Sequence, residues 1–593
     1  MDSFNKFKIS TKQENQINEV KFPGTYHSNV IPINKFQEYV KSSLKNDDLV
    51  RQYELLSQSP TKPFQYGLHK FNKLKNRYAN IAAYDHTRVI LDKIDGDAYS
   101  DYINANFIDS YKIDKAYIAT QGPQENTLND FWRMIWQENV KHIVMVTNLD
   151  EVKKENGEQY WPEINECLYF GNIYVKYVSE NTYTNYRERE FKISKGGNVR
   201  KVSHLQFTSW PDQGNLLYSY ILLPFVRKIL DITSHPIVVH CSAEINRTGM
   251  IILCDTVLRM AKNEQTIDIL NTLEYIKTCR SNMVETLEQY KLVHLIVLEY
   301  LFGMETNIPC NDEMNVVVAN IIQSQINKQM KYLKSIEWQD HAMKLISESH
   351  YEDVEFLVKG NNKFHDILSG IYLSDKDESM SINPIYVDSF YHRNRFIAAQ
   401  HPMTINLSDF WRMVVETNSN LIISLNEINL QDPTLCKLWP EEGQSMNPTT
   451  YIKVTHKTTD VCEIFQIINL DLMANGKKTS IDIVQYMNWK SGQLLPNNLH
   501  HFLTLMQELN SFLPKSIPAI VVCQNGITAC GLFLAMFIVL EKMKIEHECN
   551  ICEAIRIIRR NRNQFVQNKT QFIFLYNAAV DFLKHFESYS NFK

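Results

Sequence analysis

The chain has no long hydrophobic run. Its longest apolar stretch, Gly531 to Leu540, is far shorter than the roughly 20 residues that a helix needs to cross a bilayer. The opening MDSFNKFKISTKQENQINEV is polar and lacks the apolar core of a secretory signal. A soluble, intracellular protein is therefore expected. An excess of one charge is missing too. With Lys+Arg 62 against Asp+Glu 67 and a net charge of −5, there is no basic footprint for nucleic acid or for an anionic membrane surface. The cysteines form no framework. The 11 in the chain are odd in number and scattered, which fits free thiols in a reducing compartment better than disulfides. One Cys-x-x-Cys, Cys549 and Cys552 with His547 nearby, lacks the second ligand pair of a usual zinc site and is read as structural. No metal and no cofactor is implied. What is present, 593 residues at 44% hydrophobic, is a globular chain long enough for more than one core.

One stretch carries chemistry. Val238 to Met250 reads VVHCSAEINRTGM. A β-branched run, Pro236-Ile237-Val238-Val239, leads into it, and a helical-looking run, Thr248 to Leu253, leads out. Strand, tight loop and helix start make a phosphate cradle. The loop, Ser242, Ala243, Glu244, Ile245 and Asn246, turns its N–H groups inward, and the positive end of the helix dipole favours an anion. Cys241 at the bottom of the cradle, behind His240, is expected as a thiolate. Arg247 can then fork onto two phosphate oxygens. The layout is a nucleophile aimed at a phosphoryl group. A bare cysteine–arginine spacing would read as a buried thiol and an unrelated surface cation. The histidine, the strand and the Arg-Thr-Gly helix start set this one apart.

The chain also repeats itself. Ile118-Ala-Thr-Gln-Gly-Pro123 returns as Ile397-Ala-Ala-Gln-His-Pro402, and Asp130-Phe-Trp-Arg-Met134 as Asp409-Phe-Trp-Arg-Met413, at one common offset. Tyr160-Trp-Pro162 becomes Leu438-Trp-Pro440, Ser209-Trp210 becomes Asn488-Trp489, and Cys241 has a partner in Cys523. A period of about 280 residues means two whole domains rather than solenoid units. Short β-branched runs such as His142 to Thr147 alternate with helical segments such as Leu128 to Glu138. Each copy is therefore expected to be α/β or α+β, a central mixed sheet flanked by helices. Ile33 to Gln58 and Val318 to Ser347 carry helical spacing and are expected as lead-ins to the two copies. The expected division is a loose tail over 1–25, a first domain over 26–303, a linker over 304–316 and a second domain over 317–593.

Three more segments of the first copy mean little singly. Trp210-Pro211-Asp212-Gln213-Gly214 is a loop with an apolar anchor, on which Asp212 could swing over a phosphate ester and protonate the leaving oxygen. Alone, it reads as a surface turn. Lys75-Asn76-Arg77-Tyr78 ends in a ring that, at a pocket rim, would pass a phosphorylated phenol and leave a phosphoserine short of the thiolate. Alone, Tyr78 reads as a half-buried loop residue. Gln289, within Glu285 to Tyr290, offers an amide that could hold water for hydrolysis of a phosphocysteine. Alone, it reads as a surface side chain.

Together these pieces resemble the protein tyrosine phosphatase family, and the tandem layout is similar to its receptor-type branch. The resemblance runs from about residue 30 to residue 588. It rests on KNRY at 75–78, DYINANFI at 101–108, IATQGP at 118–123, DFWRM at 130–134, YWP at 160–162, SWPDQG at 209–214 and HCSAEINRTG at 240–249. It implies two tandem domains of that fold. It also implies Cys241 as nucleophile, Arg247 as phosphate clamp, Asp212 as general acid and then base, and Thr248 as an aid to breakdown of the phosphoenzyme. By the same resemblance, Tyr78 would stack on the substrate ring and Gln289 would orient water. Glu151 falls where the family places a carboxylate that braces the arginine. The implied substrates are phosphotyrosine-containing proteins.

The first copy departs from the family loop HCSAG-x-GRTG, since Glu244 and Asn246 replace its glycines. Asparagine tolerates left-handed backbone. Glu244 is expected to strain the loop by about 1–3 kcal/mol, and facing inward its charge would repel phosphate. Glu285 stands where a first glutamine is usual, Asn156 where a lysine steadies the acid loop, and Leu216 where a proline closes it. The second copy is similar to the second domain of leukocyte common antigen. It keeps Cys523 but has Ala529 for the arginine, Ser491 for the acid and Phe364 for the stacking tyrosine. It is expected to be inactive and regulatory. Two functions are thus expected of the chain. One is a tyrosine phosphatase acting through a cysteinyl phosphate in the first domain, at a rate the departures lower. The other is a phosphotyrosine-binding scaffold with both domains weak or dead. A cytoplasmic place is expected, beside a membrane if the chain is the intracellular part of a receptor.

Overall fold

The β-branched runs of the first copy pair into one mixed sheet. A computed structural model describes residues 29–56, 60–148, 158–210, 218–241, 246–348, 384–427, 436–514 and 516–587. It divides into two units, Met1–Gly303 with Ala342–His350 and Met304–His341 with Tyr351–Lys593. In the first unit, helices α1 (Ile33–Lys45) and α2 (Asp48–Glu54) lead in. The spacing predicts a single helix here, but Asp47 turns left-handed at φ 57° and breaks it. The strands are β1 (Arg88–Ile90), β2 (Tyr102–Ser110), β3 (Ile113–Gln121), β4 (His142–Met145), β5 (Cys167–Phe170), β6 (Ile173–Thr182), β7 (Tyr186–Lys195), β8 (Asn198–Phe207) and β9 (Ile237–Cys241). Their spatial order is β1-β2-β3-β9-β4-β8-β7-β6-β5.

Strand β9 lies parallel to both neighbours, with Val238 opposite Ile118 of β3 and Ile143 of β4. All five of its residues are buried, as a parallel strand covered on both faces requires. On one face, Val238, Ile118 and Ile143 pack with Phe131, Trp132 and Met134 of α3 (Leu128–Gln137). Helix α4 (Ser219–Leu230) follows, and then α5 (Asn246–Glu264), which packs against β9 and against α4, α6 (Ile269–Cys279) and α7 (Leu287–Phe302). Cys241 therefore ends a central parallel strand at its carboxyl edge, where open α/β sheets place their ligands.

The second copy repeats the plan. Helices α8 (Met314–Ser324) and α9 (Ile326–Glu348) come first. The strands are β10 (Ile385–Val387), β11 (Phe396–Gln400), β12 (Leu421–Ser424), β13 (Ser445–Thr449), β14 (Ile452–Val461), β15 (Phe465–Ala474), β16 (Lys477–Tyr486) and β17 (Ala519–Cys523). Their order is β10-β11-β17-β12-β16-β15-β14-β13. Helices α10 (Leu407–Glu416), α11 (Leu499–Phe512), α12 (Thr528–Glu546), α13 (Ile551–Arg559) and α14 (Lys569–Glu587) flank the sheet. The apolar run Gly531 to Leu540 is the buried middle of α12. Among the described residues no helix is long and apolar enough to cross a membrane.

The segment expected as a linker pairs with residues of the second unit. Ile308 pairs antiparallel with Cys549, and the Cys310 N–H donates to the His547 carbonyl at 2.8 Å. That pairing gives the Cys-x-x-Cys a structural place. Burial pushes the Cys549 thiol up and the Cys552 thiol to about 12.

Candidate active site

Strand β9 stops at Cys241 and α5 starts at Asn246. Ser242, Ala243, Glu244 and Ile245 lie outside the described residues, as do Glu151, Asn156, Asp212, Leu216 and Phe364. Cys241 is buried. The Thr248 hydroxyl, in the first turn of α5, donates to Cys241 Sγ at 3.3 Å. The Arg247 guanidinium lies 5.0 Å from the centre of the Trp210 ring, so the anchor of the Asp212 loop is stacked on the arginine. Asn246 is buried and is the first residue of α5.

The sequence motifs meet around Tyr78. Gln121 pairs with Cys241 across β3 and β9. Its side chain also grips the tyrosine loop, accepting from the Arg77 N–H at 3.0 Å and donating to the Lys75 carbonyl at 3.0 Å. Lys75 pairs with Asp130 at 2.8 Å, and the Tyr102 hydroxyl donates to Asn76 Oδ1 at 2.6 Å. Each of three motifs thus contributes one clamp on the loop, and the Tyr78 ring is 40% exposed. Arg280 is fully buried and donates to Asn106 at 2.6 Å and Asn104 at 2.8 Å. Burial lowers its pKa to about 10, against the pull of Tyr102 and Cys241.

Gln289 sits in the first turn of α7, capped by Thr286. Its Oε1 is buried and accepts no hydrogen bond from the described residues. The exposed Glu285 accepts from Asn282 at 3.0 Å, and it raises the Lys277 ammonium, which burial lowers. The turn before α7 bends left-handed at Val284, φ 55°, whose carbonyl accepts from the Tyr53 hydroxyl at 3.2 Å. Gly249 packs against that turn. A Cβ there would lie 2.8 Å from Val284 N.

Behind the cysteine runs a buried polar chain that the sequence reading missed. Arg189 pairs with Glu180 at 2.6 Å, and its Nη1 lies 3.2 Å from His204 Nδ1. The Tyr160 hydroxyl lies 2.8 Å from His204 Nε2 and 2.7 Å from His240 Nε2. His240 Nδ1 lies 3.2 Å from the Cys241 carbonyl. A carbonyl only accepts, so His240 carries its proton on Nδ1. Tyr160 then donates to His240, accepts from His204 Nε2–H, and leaves His204 Nδ1 to accept from Arg189. From the Arg189–His204 bond onward, each donor in the chain points toward Cys241. Burial holds both imidazoles neutral, His240 at about 4 and His204 well below its ordinary value. The available signal was the repeat itself. Tyr160, Arg189, His204 and His240 are polar where the second copy has Leu438, Ile468, Ile483 and Val522.

Comparison with known proteins decides the family. The family profile for Protein-tyrosine phosphatase matches residues 72–299 and again residues 306–581. The chain belongs to the protein-tyrosine phosphatase family. Tyrosine-protein phosphatase Lar of Drosophila melanogaster is 30% identical over 96% of this chain and 29% of its own length. Receptor-type tyrosine-protein phosphatase S of Gallus gallus is 30% identical over 94% of this chain and 38% of its own. Receptor-type tyrosine-protein phosphatase F of Mus musculus is 31% identical over 96% and 31%. The chain spans about a third of the length of these relatives.

In the second phosphatase unit the cradle is filled by its own side chain. Asn525 Oδ1 accepts from the Ile527 N–H at 3.0 Å, the Thr528 N–H at 2.9 Å and the Cys523 thiol at 3.5 Å. Those are the donors an anion would use. Gly526 turns at φ +65°, and a Cβ on it would lie 2.7 Å from Gln400 N. Arg562 donates to the Gly526 carbonyl at 2.7 Å. Ala529 is buried and brings no charge to the place of Arg247. Ser491 and Cys523 line one small cleft with His401 and Asn426. Trp489 is fully buried and bonded to the Gln493 carbonyl at 3.0 Å. The Gln571 amide is spent on the Thr528 carbonyl at 3.0 Å. Burial pushes the Cys523 thiol up, but hydrogen bonds from Cys530 and from backbone N–H groups outweigh it and leave about 7. Val566 keeps the left-handed bend at φ 48°, with its carbonyl held by Arg559 at 2.9 Å. Among the described residues, His500, Asp581 and His585 are the group placed to share a metal ion, and none of them belongs to a cysteine site.

Proposed function

We propose that the first unit hydrolyses phosphotyrosine on proteins through a cysteinyl phosphate, and that the second is an inactive, regulatory copy. The reading rests above all on Cys241 Sγ at the end of β9, 3.3 Å from the Thr248 hydroxyl that opens α5. In this reading the sulfur attacks phosphorus while Arg247 and the N–H groups of Ser242 through Asn246 hold the phosphate oxygens. Asp212 protonates the leaving phenol, and Tyr78 stacks on its ring and sets the depth of the site. Gln289, whose Oε1 has no partner among the described residues, orients the water, and Asp212 takes its proton. Thr248 stabilises the departing thiolate. His240 positions the cysteine through the Cys241 carbonyl, and Glu151 braces Arg247. With Asn282 and Lys277 engaging Glu285, the charge that favoured a mere scaffold is partly answered. In the second unit, Ala529 and Ser491 supply neither clamp nor acid. The names of the receptor-type relatives support a place beside a membrane, as the intracellular part of a receptor.

The test is steady-state hydrolysis of a phosphotyrosine peptide by the full chain and by Cys241→Ser. Turnover lost in the variant supports the reading. Wild type and variant equally inert, with both binding the peptide, would establish the scaffold instead.

A further inference from the structure

Two helices of the second unit bring three metal-binding side chains to one place. His500 is the second residue of α11, just past the cap in which Asn498 accepts from the His501 N–H. Asp581 and His585 lie four residues apart near the carboxyl end of α14, so they share one face of that helix. The two helices are held together elsewhere by the Phe502 and Phe574 rings, which meet edge to face at 5.7 Å. Among the described residues the first unit has no such group. Counted from the matching caps at Tyr218 and Asn498, Tyr220 stands in the place of His500. Counted from the matching bends at Val284 and Val566, Glu299 stands in the place of Asp581 and Gly303 in that of His585. The carboxylate is common to both copies, and the two imidazoles belong to the second alone.

The geometry suits a cation with nitrogen and oxygen ligands. One ligand atom of each residue lies within 4.8 Å of those of the other two, and the His500 and His585 rings have their centres 5.0 Å apart. Atoms bonded to zinc at about 2.0–2.2 Å stand roughly 3.4 Å from one another, and rotation of the two exposed imidazoles covers the difference. His585 is oriented for the task. Its Nδ1 lies 2.7 Å from the Asp581 carbonyl. That oxygen only accepts, so Nδ1 carries the proton and Nε2 the lone pair. Metal-bound imidazoles ordinarily donate their other N–H in this way. The Asp581 carboxylate, 3.9 Å from His585 Nδ1, is not tied up in a short ion pair. The carboxyl end of α14 favours a cation and the amino end of α11 opposes it, so Asp581 supplies the net attraction. Two imidazoles and one carboxylate are a zinc set, whereas calcium and magnesium take oxygen ligands.

We infer that His500, Asp581 and His585 bind a zinc ion, with water in the fourth position, and that the ion ties the last turn of α14 to the start of α11. The site is a fastener that the second unit has and the first lacks. It stands apart from the proposed activity, and the Cys241→Ser chain serves equally well for testing it.

The experiment adds Zn²⁺ to the full Cys241→Ser chain and follows calorimetry and hydrogen exchange. In a parallel sample Co²⁺ replaces zinc, since thiolate ligands give it a charge-transfer band that imidazole and carboxylate ligands do not. Binding without that band is expected. Zinc at about ten times its Kd slows exchange in the last turn of α14 by about tenfold, and Mg²⁺ at the same concentration does not. His500→Ala with His585→Ala weakens binding at this site by at least about tenfold and removes the protection, while the melting temperature in a chelator stays unchanged. Binding through thiolates only, no protection of that turn, protection that survives the double variant, or equal protection by Mg²⁺ overturns the inference. If the double variant does not fold, the cobalt spectrum and the exchange of the parent chain decide.

Discussion

The two units share a strand order, a central strand that ends in a cysteine and a helix that starts just after it. They differ in what lies behind that strand. In the first unit, Glu180, Arg189, His204, Tyr160 and His240 run as one hydrogen-bonded chain to the Cys241 carbonyl. In the second, Leu438, Ile468, Ile483 and Val522 occupy the corresponding places and belong to one apolar cluster. A buried polar chain is costly unless every donor finds an acceptor, and apolar packing of similar volume is often at least as stable. The polar version therefore is not needed to hold the fold together. It fixes the orientation of a strand end, which matters where a nucleophile must be aimed and not where the arginine and acid are absent. The cradles differ in the same sense. One is proposed to take a phosphate, and the other is satisfied by Asn525.

The widest separation between the units should come from their cysteines. Cys241→Ser is expected to lower turnover by on the order of 10⁴ or more, whereas Cys523→Ser leaves initial rates within twofold. A comparable loss from both would break the contrast. Acid should separate them next. The folded His240 titrates at about 4 against an ordinary 6.5. Above pH 6.5 it is neutral folded or unfolded. Between 6.5 and 4 the unfolded chain takes up a proton that the folded chain refuses, so stability falls with falling pH, by about 3 kcal/mol across that window. Val522 has no such term. Hydrogen exchange across this range should show β9 losing protection more steeply than β17, and parallel loss would mean that the imidazoles are not held neutral.

A smaller effect concerns the loop. Gly526 is left-handed, and Glu244 stands at the corresponding place of the first copy. Glu244→Gly is expected to raise kcat/KM by about 5–150-fold, while Gly526→Glu lowers the melting temperature of the second unit. No rise in rate would show that the first loop takes another course. The smallest change swaps one hydroxyl. Tyr160→Phe leaves His204 and His240 short of a partner and should cost about 1–3 kcal/mol in denaturant titration. Leu438→Tyr, which buries a hydroxyl among apolar side chains, should cost a similar amount.

Much of this was legible in the sequence because periodicity and repetition report on single elements. The duplication, the strand running into Cys241, the helix after it and α3 all follow from local pattern. The polar chain did not follow. Its members sit on different strands, and only the pairing of β6, β7 and β8 sets Glu180, Arg189 and His204 abreast. Arg280 was missed for a similar reason, since its partners Asn104 and Asn106 lie far along the chain. The break at Asp47 and the fastening of Ile308 to Cys549 depend on tertiary context that composition does not carry.

The bend at Val284 and Val566 is common to both copies. A β-branched residue held left-handed costs on the order of 1–3 kcal/mol, and both copies bear it, although only one has the residues for turnover. The need for catalysis therefore cannot be what keeps it. The bend belongs to the shape that both copies share, and each carbonyl is held by a side chain, the Tyr53 hydroxyl on Val284 and the Arg559 guanidinium on Val566. A turn that persists where there is no clamp and no acid to serve is part of the frame on which the site is built, as much as the strand that ends in the cysteine.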